Sequence, residues 1–103
     1  MTIEVLYFDG CPNVRPTLDR IRHVLQQCGL EYPIIEKRVT DANAARDFRF
    51  LGSPTVRIND IDIEPSARSR TDYGLMCRTY SGGGVPSEAL IRDAIAESRA
   101  TRR

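Results

Sequence analysis

The 103-residue sequence has almost no excess of charge of one sign, because 15 Lys and Arg residues are balanced by 14 Asp and Glu residues, for a formal net charge of +1. Such a balance gives no field that would attract nucleic acid or an anionic membrane. The sequence also lacks any run near the roughly 20 apolar residues of a membrane span, and it starts without the features of a secretory signal. We therefore expect a cytoplasmic protein that binds neither nucleic acid nor membrane.

Cysteine and histidine are scarce as well. Cys11, Cys28 and Cys77 are odd in number and widely spaced, which does not suit a disulfide scaffold and is typical of a reducing compartment. The single histidine, His23, has no cysteine or carboxylate at the spacing of a zinc site. We therefore predict at least one free thiol, no zinc site and no cofactor.

The composition that remains is that of an ordinary folded domain, with 41% hydrophobic and 28% charged residues. A chain of this length can build a core of its own but has no room for a second domain. We predict a single domain over residues 1–103.

Apolar periodicity and turn residues predict an alternating α/β chain in the order βαβαββα. A compact apolar run indicates a buried first strand, and apolar residues at steps of three and four indicate amphipathic helices. The predicted elements are a strand at 3–8, a helix at 14–28, a strand at 34–40, a helix at 41–50, a hairpin at 55–63, a helix from 87 and a frayed end at 101–103. Residues 66–85 form a long loop that contains Cys77, and a loop of this length is usually functional or disordered.

Cys11 lies between the first predicted strand and the first predicted helix. Unpaired N–H groups and the helix dipole stabilise an anion there. Cysteines in such positions have pKa values of roughly 3.5–7.5 instead of about 8.5, which makes them nucleophiles and ligands of soft metals. Pro12 fits the first helical position, but Pro16 predicts a helix that becomes regular only after Arg15. The alternative is that Cys11 is a small residue tolerated at a tight turn.

Two motifs and the order of elements resemble the thioredoxin and glutaredoxin superfamily over nearly the whole chain. The motifs are Gly10-Cys11-Pro12-Asn13 after the first strand and Gly52-Ser53-Pro54-Thr55 before the third. Together with Cys77-Arg78-Thr79-Tyr80, they look like small bacterial thioredoxin-like proteins that are sometimes labelled alkylmercury lyase. The resemblance implies a glutaredoxin-type fold with a four-stranded mixed sheet and helices on both faces.

The resemblance also implies roles for particular residues. Cys11 matches the nucleophilic cysteine, and Pro54 matches a cis-proline that shapes the substrate groove and leaves neighbouring backbone free to pair with an extended peptide or thiol. Pro12, Ser53 and Thr55, which adjoin these two positions, are then candidate substrate-binding residues. The departure is Val14, which stands where thioredoxins have their second cysteine, so a local dithiol cycle is excluded.

Without that second cysteine, a mixed disulfide on Cys11 has to be resolved by an external thiol such as glutathione, or by Cys77 from the long loop. Arg78, with Arg68 and Arg70, would favour a thiolate at Cys77 or bind an anionic thiol. The alternatives are that this stretch covers an edge of the core with Arg78 outside, or is a solvated basic loop. Cys28 belongs to the apolar stripe of the first helix and is expected to behave as a small hydrophobe.

Three functions follow from these residues. The leading one is a thiol–disulfide oxidoreductase or thiol-transfer protein, with Cys11 attacking a small thiol or peptide substrate and Cys77 resolving the product. The second is a soft-metal or organomercurial binding protein in which Cys11 and Cys77 hold a linear ion; lyase activity would also need an acid, for which Asp9 is the nearby carboxylate. The third is a thioredoxin-like binding module without redox activity.

Overall fold

The structure is a computed structural model that describes residues 1–100. The order of elements is βαβαββα, as predicted, with a short 3₁₀ helix after the hairpin. The elements are β1 (Ile3–Tyr7), α1 (Val14–Gln27), β2 (Ile34–Arg38), α2 (Ala42–Asp47), β3 (Thr55–Ile58), β4 (Ile61–Asp62), the 3₁₀ helix (Pro65–Ala67) and α3 (Glu88–Ala100). The predicted frayed end at 101–103 lies outside the described residues. No helix within residues 1–100 is long and apolar enough to cross a bilayer.

The four strands form one mixed sheet in the order β2-β1-β3-β4. β1 runs parallel to β2 and antiparallel to β3, and β3 and β4 form a hairpin. Asn59 and Asp60 in the hairpin turn have φ values of 53° and 66°, as a two-residue type I′ turn requires. The hairpin agrees with the prediction from the sequence pattern, and the four-stranded mixed sheet agrees with what the resemblance implies.

Helices cover both faces of the sheet. Residues along β1 alternate between the two faces: Ile3 and Val5 belong to the core formed with α1 and α3, whereas Leu6 belongs to a smaller core on the side of α2. The smaller core is closed by Phe50, whose ring meets that of Phe8 edge to face at 6.4 Å and 81°. β1 is therefore buried on both faces, which explains its unbroken apolar run.

Helix α1 begins at Val14, with Asn13 as its N-cap residue. Pro12 therefore precedes the cap, and the expectation that it is the first helical residue is wrong. Pro16 is the third residue of the helix, where a backbone N–H has no partner within the helix, so its missing donor costs no bond. The first helical bond runs from the Thr17 N–H to the Asn13 carbonyl at 3.2 Å. Pro16 thus does not delay the start of the helix, contrary to the prediction.

Candidate active site

Cys11 lies at the end of the central strand, just before α1. The chain turns there through Asp9 and Gly10, and the φ of +86° at Gly10 favours glycine at this position. The Cys11 side chain is partly exposed and its thiol is free. Of the first three helical residues, only Val14 and Arg15 have an N–H, because the third is proline.

The Ser53–Pro54 segment lies against the end of β1. Its peptide bond is cis, in agreement with what the resemblance implies. The Phe8 N–H donates to Ser53 Oγ at 3.4 Å, and the Thr55 hydroxyl donates to the Gly52 carbonyl at 2.6 Å. Ser53 and Thr55 are fully buried, so their side chains hold this turn in place and do not face a ligand. The expectation that these two side chains bind substrate is wrong, whereas Pro12 is exposed beside Cys11.

The backbone next to Pro54 is occupied by a segment of the long loop, residues 76–80, which we name the strap. The Ser53 N–H donates to the Met76 carbonyl at 2.8 Å, and the Arg78 N–H donates to the Ser53 carbonyl at 3.0 Å. These two bonds place Cys77 opposite Ser53 in a parallel bridge. The expectation that this backbone is free to pair with a peptide is therefore wrong, because the chain itself occupies it.

Side chains of the strap alternate between solvent and interior. Cys77 and Thr79 are exposed, whereas Arg78 and Tyr80 are buried. This is the period of an extended strand, and it leaves the free Cys77 thiol on the outer side. The long loop therefore contains an ordered, strand-like segment, so this part of the loop is not disordered.

Arg78 is 1% exposed and is the largest of the fully buried side chains among residues 1–100. Its Nη1 and Nη2 donate to the two carboxylate oxygens of Asp62 at 2.7 and 2.8 Å, and Nη2 also donates to Glu64 at 3.1 Å. Nη1 lies 3.3 Å from the Thr55 hydroxyl. The expectation that Arg78 lies outside, in a solvated loop, is therefore wrong. The expectation that it binds an anionic thiol is also wrong, because its buried guanidinium is already paired with Asp62 and Glu64.

Burial and the contacts around Arg78 change the pKa values of two groups, Arg78 and Tyr80. Burial alone would lower the pKa of Arg78, but the hydrogen bonds and charge of Asp62, with contributions from Tyr80 and Glu64, outweigh burial and raise it. Burial raises the pKa of Tyr80 well above its usual value, although Arg78 partly opposes the rise. The Tyr80 hydroxyl donates to the Pro54 carbonyl at 2.6 Å, and the Arg78 guanidinium lies 4.5 Å from the centre of the Tyr80 ring.

Sequence reasoning missed Asp62 and Glu64 as partners of the strap. They are two residues apart and follow the hairpin turn, so their shared face was visible in the sequence. Arg78 is 16 residues away from Asp62, however, and no local pattern pairs residues at that separation. A buried arginine next to a candidate cysteine can be recognised only when the loop's path is known.

A cleft of about 460 Å³ lies between the two segments that lead to Cys11 and Cys77. Its walls include Phe8 and Asp9, just before Cys11, and Leu75, just before Cys77. Arg38 also lines it and donates to Asp9 at 3.2 Å. The volume is within the range of about 300–1,000 Å³ that is typical of small-molecule sites.

A slightly larger cleft, of about 540 Å³, lies on the α2 face near the hairpin. Its wall includes Arg57, which is half-buried and whose pKa is lowered by that burial. The Arg57 guanidinium donates to the Arg49 carbonyl. We favour the 460 Å³ cleft as the candidate site, because its walls include Asp9 and Leu75, each of which is two residues before a cysteine in the sequence.

The remaining candidates behave as side chains of the surface or the core. Cys28 is partly buried and packs against the core beneath α1, as predicted. His23 is exposed and lies 4.0 Å from Glu88. Within residues 1–100, no three or more His, Cys, Asp and Glu side chains are grouped so that they could hold a metal ion. A linear mercury site needs only two thiolates, so the prediction for Cys11 and Cys77 stays a prediction.

In comparisons with known proteins, the chain matches no family model, no curated protein and no solved structure. The structure establishes a compact α/β fold with a four-stranded mixed sheet and three α-helices over the described residues. A function has to be inferred from the chemistry of the candidate site.

Proposed function

We propose that this chain is a thioredoxin-like domain that exchanges thiols and disulfides, with Cys11 as its nucleophile. The order βαβαββα and the central position of β1 support the thioredoxin-like fold. The position of Cys11 supports the role of nucleophile, because it is a free, partly exposed thiol between the end of β1 and the start of α1. The thiolate of such a cysteine is the form that attacks a disulfide.

One observation carries this proposal: the strap pairs with the turn that lies against the end of β1. Ser53 is paired with Cys77 and accepts a hydrogen bond from Phe8, three residues before Cys11. The segments that carry the two thiols therefore meet at Ser53. An exchange reaction with internal resolution requires an accessible thiol on each segment, and Cys11 is partly exposed while Cys77 is exposed.

The chemistry has three steps. The Cys11 thiolate attacks one sulfur of a substrate disulfide, so a new bond forms to that sulfur and the other sulfur leaves as a thiolate that takes up a proton. The Cys77 thiolate then attacks the Cys11 sulfur, releasing the second substrate sulfur and forming a disulfide between the two cysteines. Two molecules of a small external thiol supply the two electrons and two protons that reduce this disulfide.

The substrate that suits this site is a disulfide of low molecular weight. An extended peptide would need backbone groups with which to pair, and both backbone groups of Ser53 are already bonded within the chain. The cleft lined by Phe8 and Asp9, which precede Cys11 in the sequence, has the volume for a small molecule. Its walls combine apolar side chains, Phe8 and Leu75, with the cation of Arg38.

Replacement of Cys11 by alanine tests the proposal. We expect Cys11→Ala to lower the rate at which the protein reduces a small mixed disulfide, with glutathione as the electron donor, by at least about a hundredfold, because the attacking thiolate is absent. Cys28→Ala is the matched control, since Cys28 packs against the core, and it should keep the rate of the unmodified protein. Unchanged turnover in Cys11→Ala would show that the proposed function is wrong.

A further inference from the structure

The strap is held by contacts on the side opposite to Cys77. Arg78, the next residue, is inserted between Asp62 and Glu64, with its guanidinium over the Tyr80 ring. Tyr80 is bonded through its hydroxyl to the carbonyl of Pro54. The buried side chains of Arg78 and Tyr80 thus bond to the interior of the protein, whereas Cys77 lies on the solvent side of the strap.

The ion pair of Arg78 defines one geometry. A planar guanidinium that makes two parallel bonds to a carboxylate accepts essentially one orientation. Attraction within a buried ion pair is largely offset by the loss of hydration, so such a pair contributes little net stability compared with apolar side chains of similar volume. One Arg78 atom, Nε, is buried without a hydrogen-bond partner, so the cluster is not arranged for maximal stability. Its distinctive property is that it fixes the path of the strap.

We propose that Arg78 is a positioning residue for Cys77. Its ion pair with Asp62 holds the strap on Ser53, so that Cys77 is presented to the mixed disulfide that forms on Cys11. This inference rests on the proposed function and assigns the residue that controls its second step. In that step the Cys77 thiolate attacks the Cys11 sulfur, the bond from Cys11 to the substrate sulfur breaks, and the substrate leaves as a thiolate that takes a proton from water.

The test uses the full chain carrying Cys28→Ala, reduced and then mixed with one equivalent of the chromogenic disulfide dithiobis(nitrobenzoic acid). Attack by the first thiol releases one coloured thiolate per protein, and closure of the internal disulfide releases the second. The two phases therefore report separately on initial attack and on resolution. A further Cys77→Ala substitution identifies the second phase, because it should remove that phase.

We expect Arg78→Met, which keeps the length of the side chain, to slow the second phase by at least about tenfold, since a small misplacement of a reacting group is costly in rate. Asp62→Asn, which keeps the shape of the side chain that pairs with Arg78, should also slow the second phase. Both variants should leave the first phase within about twofold of the parent, because they do not touch Cys11. Thr79→Ala is the matched control, since Thr79 is an exposed residue of the same strap, and should change neither phase.

The outcomes separate the two proposals. If the parent shows no second phase, resolution by Cys77 fails, and with it this inference. If the parent shows both phases and the second is equally fast in Arg78→Met and Asp62→Asn, Cys11 chemistry stands and the role of Arg78 is wrong. Equal slowing of both phases would mean that Arg78 only supports the fold, which would also overturn the inference. Asp62→Asn keeps the experiment decisive if Arg78→Met does not fold.

Discussion

The ionisation of the Tyr80 hydroxyl is coupled to folding. The hydroxyl is buried, it donates to the Pro54 carbonyl, and its pKa is raised in the folded protein. In the unfolded chain the same group has an ordinary pKa of about 10. Above that pH the unfolded chain loses the proton while the folded protein keeps it, so the unfolded state binds fewer protons and stability falls as pH rises.

We expect Tyr80→Phe to remove that part of the pH dependence. The free energy of unfolding of the unmodified protein should fall above about pH 9, with a contribution from Tyr80 of up to about 1.4 kcal/mol per pH unit, which the variant lacks. At pH 7 the variant should be less stable by about 1–2 kcal/mol, because the Pro54 carbonyl loses its donor. Urea unfolding at several pH values measures both effects. Tyr73→Phe is the control, and the same alkaline slope in Tyr80→Phe and the unmodified protein would contradict the assignment.

The residues around the candidate site differ in how well the sequence predicted them. Cys11 was placed correctly between strand and helix, because the apolar periodicities on each side of it are strong. Arg78 was placed on the outside, since a charged side chain in a polar loop is normally solvated. The carboxylates that make its burial possible come from the hairpin, and their relation to residue 78 depends on the tertiary path of the loop.

At the scale of elements, the strap is closely fitted to the turn that precedes Pro54. Gly52 has a φ of +107°, and a Cβ added there would lie 2.9 Å from the Met76 carbonyl oxygen and 3.1 Å from Arg78 Cβ. Both the backbone conformation and the close approach of the strap therefore require glycine. The strap and the turn behave as one unit, although they are more than twenty residues apart in the sequence.

We expect Gly52→Ala to lower the free energy of unfolding by about 1–3 kcal/mol, from strained backbone and displacement of the strap. Gly74→Ala is the matched control, because its added Cβ would lie 3.5 Å from Met76 Cε, an ordinary contact. The control should be within about 1 kcal/mol of the unmodified protein. Urea denaturation of the three proteins measures the difference, and equal stabilities would show that the strap is not held against Gly52.

Elements with strong local signals were predicted, and the strap was not. Helix α1, the hairpin and the cap of α2 follow from periodicity, from Asn59-Asp60 and from Asp41, which accepts the Ala44 N–H at 2.8 Å. β4 is only two residues long, and the strap pairs with the turn before Pro54 through one bridge. Such short extended segments are defined by their partners, so the sequence showed only a long loop rich in Ser, Gly and Arg.

At the scale of the whole molecule, two cores of unequal size share the central sheet. The core beneath α1 and α3 includes most of the buried apolar side chains, whereas the core beneath α2 has four buried members, Leu6, Val39, Ala45 and Phe50. The smaller core therefore depends strongly on its one buried aromatic residue. Because β1 contributes to both cores, loss of either is expected to unfold the entire domain in one transition.

We expect Phe50→Ala to lower the free energy of unfolding by about 3–5 kcal/mol, as for other large-to-small core changes, which is a large part of the roughly 5–15 kcal/mol of a typical domain. Phe48→Ala is the matched control. Phe48 is 36% exposed and its ring lies 4.7 Å from Lys37 Nζ, so its loss should cost no more than about 1 kcal/mol. Urea unfolding midpoints compare the two, and similar losses would contradict the assignment of Phe50 to a core.

The pairing of the strap with Ser53 also bears on how copies of this protein behave toward one another. A stretch of extended backbone with free N–H and C=O groups is a template on which another chain can add a strand. In this protein the strap covers the free side of Ser53 with the chain's own backbone. Release of the strap would uncover that edge while Leu75, already 45% exposed, lies beside it. The contact that fixes Cys77 therefore also occupies backbone groups with which a strand of another copy could pair.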